Sequence, residues 1–538
     1  MSNSLQFGTA GIRATMGPGK DQINNHTIQL LTEGLSQYLL SSFAKESKQQ
    51  GIVICYDSRL HSKEFAQEAA SVLTSHTIPV YLMRDLRPTP FLSFAIRYLR
   101  AIGGINITAS HNPKEYNGYK IYWADGGQVV APHEQKISKK IQEILKKPLP
   151  IYLPYDSNKE HFVSEAVEKA FLCKIQEHMT MPSLNHNQGN KLFIIYSPLN
   201  GTGITLIPKA LNQCGFTYVE CVEEQKKPDG NFPTTPYPNP ETPEAMTLGI
   251  RDLLVKQGDI LLISDPDADR LACSCLHQQI PYNFTGNELG IILLAHLLRT
   301  QHPISPWATI TTTVSSPLIK KITEKAGGTC FEVPVGFKNI AQKILEWEKG
   351  HNTHHFFFGI EESLGFLYGD FVRDKDSVTA SCLTSEAALF CKKENKTLVD
   401  FLIEIFAQFG IYQSGQLSIS ASHSQFFCIQ LQKMRRTPPR HLKNLSIISI
   451  EDYQSGIGYS FSSQERWALS YSQLNVLSLL GEDGSKWILR PSGTEPKMKL
   501  YGHMRANPTS FSSIQEGIAF LKSTIYDHLL YLKNLLEK

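Results

Sequence analysis

An α/β chain of several domains is predicted, on three observations. Short apolar runs that suit buried strands, Gly51–Tyr56, Leu192–Tyr196 and Ile260–Ile263, alternate with longer amphipathic stretches such as Asn24–Leu40 and Gly286–Leu298. Turn-forming, chemistry-bearing segments follow several of the apolar runs, as in folds whose loops beyond strand ends form sites. At 538 residues the chain exceeds what one hydrophobic core supports, so three or four domains follow.

The first segment is Ala101-Ile-Gly-Gly-Ile-Asn-Ile-Thr-Ala-Ser110, an apolar stretch that opens into the turn-forming run His111-Asn-Pro-Lys-Glu-Tyr-Asn-Gly118. A single serine hydroxyl is thereby presented on a tight loop; an ordinary surface serine would look the same in isolation. In the second, Asp265-Pro-Asp-Ala-Asp-Arg270, carboxylates at alternate positions after Asp259-Ile-Leu-Leu-Ile-Ser264 can converge on one hard divalent cation. So compact a ligand set favours Mg2+, with phosphate oxygens completing the shell, over Ca2+; a plain acidic turn is the alternative. The helix-loop-helix calcium pattern is excluded, because Arg270 stands where it needs Gly and Leu276 where it needs Glu.

Gly359-Ile-Glu-Glu-Ser-Leu-Gly365 follows three phenylalanines and sets two carboxylates beside a hydroxyl. Carboxylates accept and sugar hydroxyls donate, so the segment suits a sugar; an acid-rich first turn of a helix explains it equally. Just beyond, Arg373 and Lys375 in Gly369-Asp-Phe-Val-Arg-Asp-Lys-Asp376 suit phosphate or a network of surface ion pairs. The fourth, Arg490-Pro-Ser-Gly-Thr-Glu-Pro-Lys-Met-Lys499, gathers a guanidinium fork at Arg490, hydroxyls at Ser492 and Thr494 and an approachable backbone at Gly493. These are the parts of a phosphate cradle, or of a polar turn. No G-x-x-x-x-G-K-[ST] run occurs, and no complete G-x-G-x-x-G follows a strand, which removes the usual support for a nucleotide site.

Read together and in order, these loops resemble those of the alpha-D-phosphohexomutases. Phe7-Gly-Thr-Ala-Gly-Ile-Arg13, followed by Met16-Gly-Pro-Gly19, is similar to that family's N-terminal signature, in particular its phosphoglucomutase and phosphopentomutase branch, and matches run from residue 7 to residue 501. The resemblance implies three similar mixed-sheet α/β domains and a smaller α+β C-terminal domain around a central cleft. Boundaries are expected at 1–188 for the phosphoserine loop, 189–302 for the metal loop, 303–420 for the sugar loop and 421–538 for the phosphate cradle.

The family's roles, carried onto matching positions, make Ser110 the phosphoryl carrier and a metal ligand with Asp265, Asp267 and Asp269. Lys120 matches the proton-transfer lysine, His111 a neighbour of the phosphoserine and a spare base, and Arg270 a basic catalytic neighbour. Arg13, Glu361, Ser363, Lys375, Arg490, Ser492, Gly493 and Thr494 are implied to bind substrate. One departure is Ile360 before Glu361, where many relatives carry Gly, which bears on the sugar loop.

The implied reaction gives the enzyme's phosphate to a sugar, holds the bisphosphate while it turns over, and takes back the other phosphate. Mg2+ and glucose 1,6-bisphosphate, as activator, are the implied cofactors, and a hexose or pentose monophosphate is the substrate. A base at Lys120 must lack its proton when it acts, and burial with cationic neighbours such as Mg2+ and Arg270 is expected to favour that. Glucose 1- and 6-phosphates are the leading pair; a pentose or mannose phosphate, or synthesis of a sugar bisphosphate, are sibling readings. An aspartyl-phosphate phosphatase and a non-catalytic sugar-phosphate sensor are the remoter ones.

A net charge of +3 with dispersed signs leaves no nucleic-acid footprint; the cluster Met434-Arg-Arg-Thr-Pro-Pro-Arg440 reads as a solvated loop. Ten cysteines without paired spacing suit reduced thiols, and Cys273 and Cys275 read as strand residues. With no secretory pattern after Met1 and no apolar run long enough for a bilayer, a soluble cytoplasmic chain without a membrane partner is expected. Loops or boundaries are expected near 181–190, 227–243 and Lys433–Lys443. Two look-alikes are set aside: Ala421-Ser-His423 lacks the Asn-Pro of the serine loop, and His351, His354 and His355 lack further ligands for zinc.

Overall fold

The computed structural model describes residues 11–145, 148–155, 161–350, 354–420, 424–491 and 497–537. These residues divide into two compact units, one of residues up to 310 with 336–399, the other of 311–335 with 400 onwards.

The first unit is built on mixed sheets. Its first sheet contains β1 (Ile12–Thr15), β2 (Ile52–Tyr56), β3 (Val80–Leu82), β4 (Gly103–Ile107), β5 (Tyr116–Trp123) and β6 (His161–Phe162), in the order β1-β5-β4-β2-β3-β6. Here β2, β3, β4 and β6 are parallel, and β5 runs back against β4. The second contains β7 (Ile194–Ser197), β8 (Val219–Cys221), β9 (Ile260–Ser264), β10 (Leu271–His277) and β11 (Ile280–Asn283), ordered β11-β10-β9-β7-β8. Again β7, β8 and β9 are parallel and β10 is antiparallel to β9. In the third sheet β12 (Trp307–Thr312), β14 (His355–Glu361) and antiparallel β15 (Gly365–Tyr368) stand side by side like β7, β9 and β10.

This repetition has a simple cause. Strands β2, β4, β7 and β9 are buried along their whole length, as continuous apolar runs must be when both faces of a sheet are covered. The expected amphipathic stretches supply cover: helices Asn25–Ser42 and Gly286–Thr300 both begin at capping boxes, Asn24 with Thr27 and Thr285 with Glu288. In each repeat the chain passes from a central strand to its antiparallel neighbour through a short loop: residues 108–115, 265–270 and 362–364. Those loops carry Ser110, the three aspartates and Ser363, with Glu361 ending β14.

The second unit holds β13 (Thr329–Val333) and an antiparallel sheet of β16 (Ile411–Ser420), β18 (Leu445–Asp452), β19 (Ile457–Ser460), β20 (Arg466–Ala468), β21 (Leu477–Gly481), β22 (Lys486–Pro491) and β23 (Lys497–Ala506). Its order is β16-β23-β22-β21-β18-β19-β20, with β17 (His441–Leu442) paired to β18. Helix Ile514–Glu537 buries Ile518, Leu521, Ile525, Leu529 and Leu532, a spacing of three and four that lays one stripe onto β16 and β23.

Two loop expectations are corrected. Residues 182–188 form a helix opened by Pro182 at its first turn, and buried Asn185 donates to Glu386 Oε2 at 2.6 Å. Lys433, Arg435 and Arg436 are the last turn of helix Ser424–Arg436, where carbonyl dipoles favour cations, and not a solvated loop. Cys273 and Cys275 lie buried on β10. Residues 421–423 and His351 lie outside the described residues, and His355 begins β14. Among the described residues no helix is long and apolar enough to cross a membrane.

Candidate active site

Ser110 sits where β4 gives way to the loop, with φ of 54°, a left-handed conformation uncommon for a residue with a Cβ. Its own amide donates to Thr108 Oγ1 at 2.8 Å, a local turn that fixes this geometry. The hydroxyl donates to Asp265 Oδ2 at 2.9 Å and lies 3.2 Å from His111 Nδ1. The sequence presents this hydroxyl on a tight loop, where an ordinary surface serine is the competing reading; Ser110 is only 1 % exposed and touches the aspartate loop of the second repeat.

That aspartate loop is folded by its own carboxylate. Asp265 Oδ1 accepts from the amides of Asp269 (3.1 Å) and Arg270 (3.0 Å), and Ala268 takes φ of 51° to close the turn. Pro266 is fixed from the side: its carbonyl accepts from the amide and the hydroxyl of Thr202, and a Cβ at Gly201 would lie 2.4 Å from Pro266 Cα, which leaves room only for glycine. Asp267 Oδ2 accepts from Thr89 Oγ1 at 3.1 Å, and Thr89 in turn accepts from Asn106 Nδ2 at 2.8 Å.

All three aspartates are buried, with one oxygen of each within 4.8 Å of the others. Asp267 Oδ1 and Asp269 Oδ1 have no hydrogen-bond partner among the described residues. Buried carboxylate oxygens left unpaired are costly, so a hard cation fits this set. Burial, then the charges of Asp267 and Asp269, push the Asp265 carboxyl well above its ordinary range. Burial acts upward on Asp267 too, but the Lys120 ammonium and a hydrogen bond from Asp265 outweigh it, so Asp267 holds the negative charge.

Lys120 comes from the middle of β5, 1 % exposed, with Nζ donating to Asp267 Oδ2 at 2.9 Å and 3.9 Å from Asp269 Oδ2. Burial is as expected, and the ion pairs of its ammonium among the described residues are with carboxylates. Lys375 Nζ lies 3.2 Å from Asp269 Oδ2 and 3.3 Å from Asp374 Oδ1. Burial would lower its pKa, but Asp269, Asp374 and Glu361 raise it further, so it stays charged. Arg373, two residues earlier, is instead buried in an ion pair with Glu348.

Burial, then the positive charges of Arg270 and Arg13, hold the His111 imidazole well below its ordinary value and therefore neutral. Arg13, on β1 opposite Gly118 of β5, reaches Asn112 Oδ1 at 3.4 Å. The Nε atoms of Arg13 and Arg270 are buried without a hydrogen-bond partner among the described residues, which suits an anion with several acceptor oxygens. Glu361 Oε1 accepts from Gly336 N at 3.1 Å, and Ser363 lies in the tight turn from β14 to β15, not at the start of a helix.

Arg490 lies on β22 of the second unit, opposite Lys499 of β23; Ser492, Gly493 and Thr494 are outside the described residues. The sequence reading missed Arg59, which holds the serine loop from beneath. Its guanidinium donates to the carbonyls of Ser110 (2.6 Å), Pro113 (2.8 Å), Tyr116 (3.0 Å) and Asn112, and its Nε lies 3.3 Å from Asp57 Oδ2. The signal was available: Asp57-Ser-Arg59 follows the buried run of β2, where charged residues have little structural reason to be.

The models of phosphoglucomutase/phosphomannomutase alpha/beta/alpha domains I, II and III match residues 4–148, 169–278 and 285–409 in turn. The chain belongs to the phosphoglucomutase/phosphomannomutase family. It is thereby a mutase of the isomerase class. Phosphoglucomutase of Staphylococcus haemolyticus (strain JCSC1435) is 36 % identical over 525 residues, covering 96 % of this chain and 92 % of that one. Phosphoglucomutase of Staphylococcus aureus (strain bovine RF122 / ET3-1) is 35 % identical over 508 residues, covering 93 % and 89 %. In fold, family members of known structure superpose along nearly the whole chain. Parafusin of Paramecium, a phosphoglucomutase in its open form, gives a TM-score of 0.70 at 16 % identity, covering 99 % of this chain and 96 % of its own. A phosphoglucomutase/phosphomannomutase family protein of Burkholderia thailandensis gives 0.68 at 17 %, covering 98 % and 97 %.

Proposed function

We propose that the chain is a phosphoglucomutase, interconverting glucose 1-phosphate and glucose 6-phosphate through a phosphoserine at Ser110. The observation that carries this reading is the contact of Ser110 Oγ with Asp265 Oδ2 at 2.9 Å, which puts a nucleophile on the rim of a buried carboxylate triad. Relatives bearing that name match nearly the whole chain, which favours glucose over mannose or a pentose.

Asp265, Asp267 and Asp269 would hold Mg2+, which when bound neutralises charge on phosphoryl oxygens. Around it Arg13 and Arg270 would orient the phosphoryl group through Nε donors that make no hydrogen bond among the described residues. Lys120, held on Asp267, and neutral His111, beside Ser110 Oγ, are the groups placed to move protons. Glu361 and Ser363 would contact sugar hydroxyls, Lys375 would supply charge nearby, and Arg490 with Ser492, Gly493 and Thr494 would grip the phosphate that is not being transferred. Glucose 1,6-bisphosphate would charge Ser110, since no nucleotide motif is present to do so. Four domains, 1–188, 189–302, 303–420 and 421–538, would carry these parts, and ten cysteines without paired spacing support a reducing, cytoplasmic setting.

The test is a coupled assay of the purified chain with Mg2+, a trace of glucose 1,6-bisphosphate and the 1-phosphates of glucose, mannose, ribose and glucosamine. Glucose 1-phosphate is expected to isomerise fastest, with a phosphoryl group found on Ser110 by intact mass. Faster turnover of ribose 1-phosphate would move the assignment to the pentose branch, and no isomerisation of any of them would sink it. An aspartyl-phosphate phosphatase would instead release inorganic phosphate and survive Ser110→Ala.

A further inference from the structure

Residues 227–243 have no role in the reading above, and the sequence marks them only as a loop. In the structure they form a strap from the second repeat that lies against the groups arranging Ser110. At Gly230 a Cβ would stand 2.4 Å from Leu60 N and 2.7 Å from Arg59 C, so the two backbones are packed as closely as glycine permits. Phe232 is buried, and its ring lies 5.0 Å from the Arg59 guanidinium carbon. It takes φ of 46°, costly for a bulky residue and sustained by the turn bonds from Phe232 N to Asp229 O and from Thr235 N to Phe232 O. The Tyr237 and His111 rings meet in a T-shaped pair at 5.9 Å and 81°, and Glu241 Oε1 lies 3.9 Å from Arg270 Nη1. The strap is itself fastened to its own repeat: Gln225 Nε2 donates to Thr234 and Thr235, and Asn200 Nδ2 donates to the Lys227 carbonyl.

We propose that this strap is a positioning device for the nucleophile: Phe232, stacked on Arg59, fixes the guanidinium whose fork gathers the serine-loop carbonyls, so both residues set turnover without touching substrate. A guanidinium has five donors in one plane, three loop carbonyls and that of Tyr116 at the start of β5 converge on it, and tilt of that plane is the freedom left to restrain. Asp57 restrains one edge and the Phe232 face restrains the tilt, an arrangement in which a buried cation and a ring attract strongly. The inference rests on the mutase reading for its kinetic consequence, but not for its structural one.

Two variants and two measurements test it. Arg59→Lys keeps the charge and loses the fork, while Phe232→Leu keeps an apolar side chain and loses the ring, and provides the readout if the first variant does not fold. Arg59→Lys is expected to lower kcat about 100-fold with KM within about threefold of the wild type, the pattern of a displaced nucleophile. Phe232→Leu is expected to lower kcat about tenfold in the same pattern. In both, amide hydrogen exchange across residues 108–116 should rise by about tenfold or more while the strands of the second unit exchange as before. An active wild type whose variants keep kcat and loop exchange within about twofold would overturn the strap's role, and so would faster exchange with unchanged kcat. A wild type that isomerises no sugar phosphate would sink the mutase reading instead, and loop exchange alone would then decide the positioning claim, unchanged protection counting against it.

Discussion

After β4 the chain turns through residues 108–115, whose carbonyls are gathered from outside by the Arg59 guanidinium; after β9 it turns through 265–270, whose amides are gathered from within by Asp265 Oδ1. The two loops leave equivalent strands of equivalent sheets and are held by opposite charges. The reason lies in what each must present. A loop that offers one neutral hydroxyl can turn its carbonyls inward to a cation, whereas a loop that offers carboxylates would attract that cation itself. It therefore uses one of its own acids as the staple and leaves the other two to face Lys120 and Lys375. Asp265 is the joint: Oδ1 closes its own turn and Oδ2 accepts from Ser110, while Asp267 Oδ1 and Asp269 Oδ1 accept no hydrogen bond among the described residues.

The comparison breaks most sharply at the hydroxyl. Ser110→Ala is expected to reduce isomerisation by at least about 10⁴-fold in the coupled assay, the scale of nucleophile removal. A rate near that of the wild type would mean the first loop presents nothing and the second does the chemistry alone. Next in size is Asp267→Asn, which leaves the Lys120 ammonium buried without its closest counter-charge. A stability loss of about 3–5 kcal/mol by denaturant unfolding is expected, partly recovered by adding Lys120→Met. No recovery in the double variant would show that the triad, and not the pair, carries the cost.

The aspartate loop also leans on helix Ser377–Lys393, whose first residue donates through Ser377 Oγ to the Ala268 carbonyl at 2.5 Å. Its N-cap, Asp376, is fully buried, and burial pushes that carboxyl up to about 6 despite hydrogen bonds from Thr379 and Val378. A folded-state value raised above the unfolded one means stability present at low pH and lost as pH rises through about 4 to 6. Relative to Asp376→Asn, the wild type is therefore expected to lose about 3 kcal/mol between pH 4 and pH 7. Parallel stability curves would place the carboxylate's compensation elsewhere. The smallest effect separates the loops by ligand: Mg2+ at ~100 times its Kd should stabilise the wild type by about 2.7 kcal/mol and leave Asp267→Asn unchanged in thermal unfolding.

Much of this was legible in the residues, for a physical reason. Ser110 and the three aspartates stand in contiguous motifs directly after buried apolar runs, so local sequence states both the strand and what leaves it. The helices at Asn25–Ser42 and Gly286–Thr300 announce themselves by periodicity and caps in the same way. What stayed hidden acts across long separations through side-chain-to-backbone contacts. Arg59 serves carbonyls more than fifty residues away, and Thr89 braces an aspartate from the next repeat. Nor can a hydroxyl's burial be read locally, since the cover on Ser110 comes from another sheet. The segment Asp370–Asp376 shows the limit most clearly: Arg373 and Lys375 are alike in sequence context, yet one is tied to Glu348 and the other faces Asp269.

The backbone at Ser110 also narrows which alcohol can serve there. With φ at 54°, a branched Cβ would crowd its own carbonyl, so a threonine, chemically as good a phosphate acceptor, would force the turn open and swing its oxygen off Asp265. Handedness of a single residue, more than reactivity, makes this position intolerant of its nearest chemical substitute.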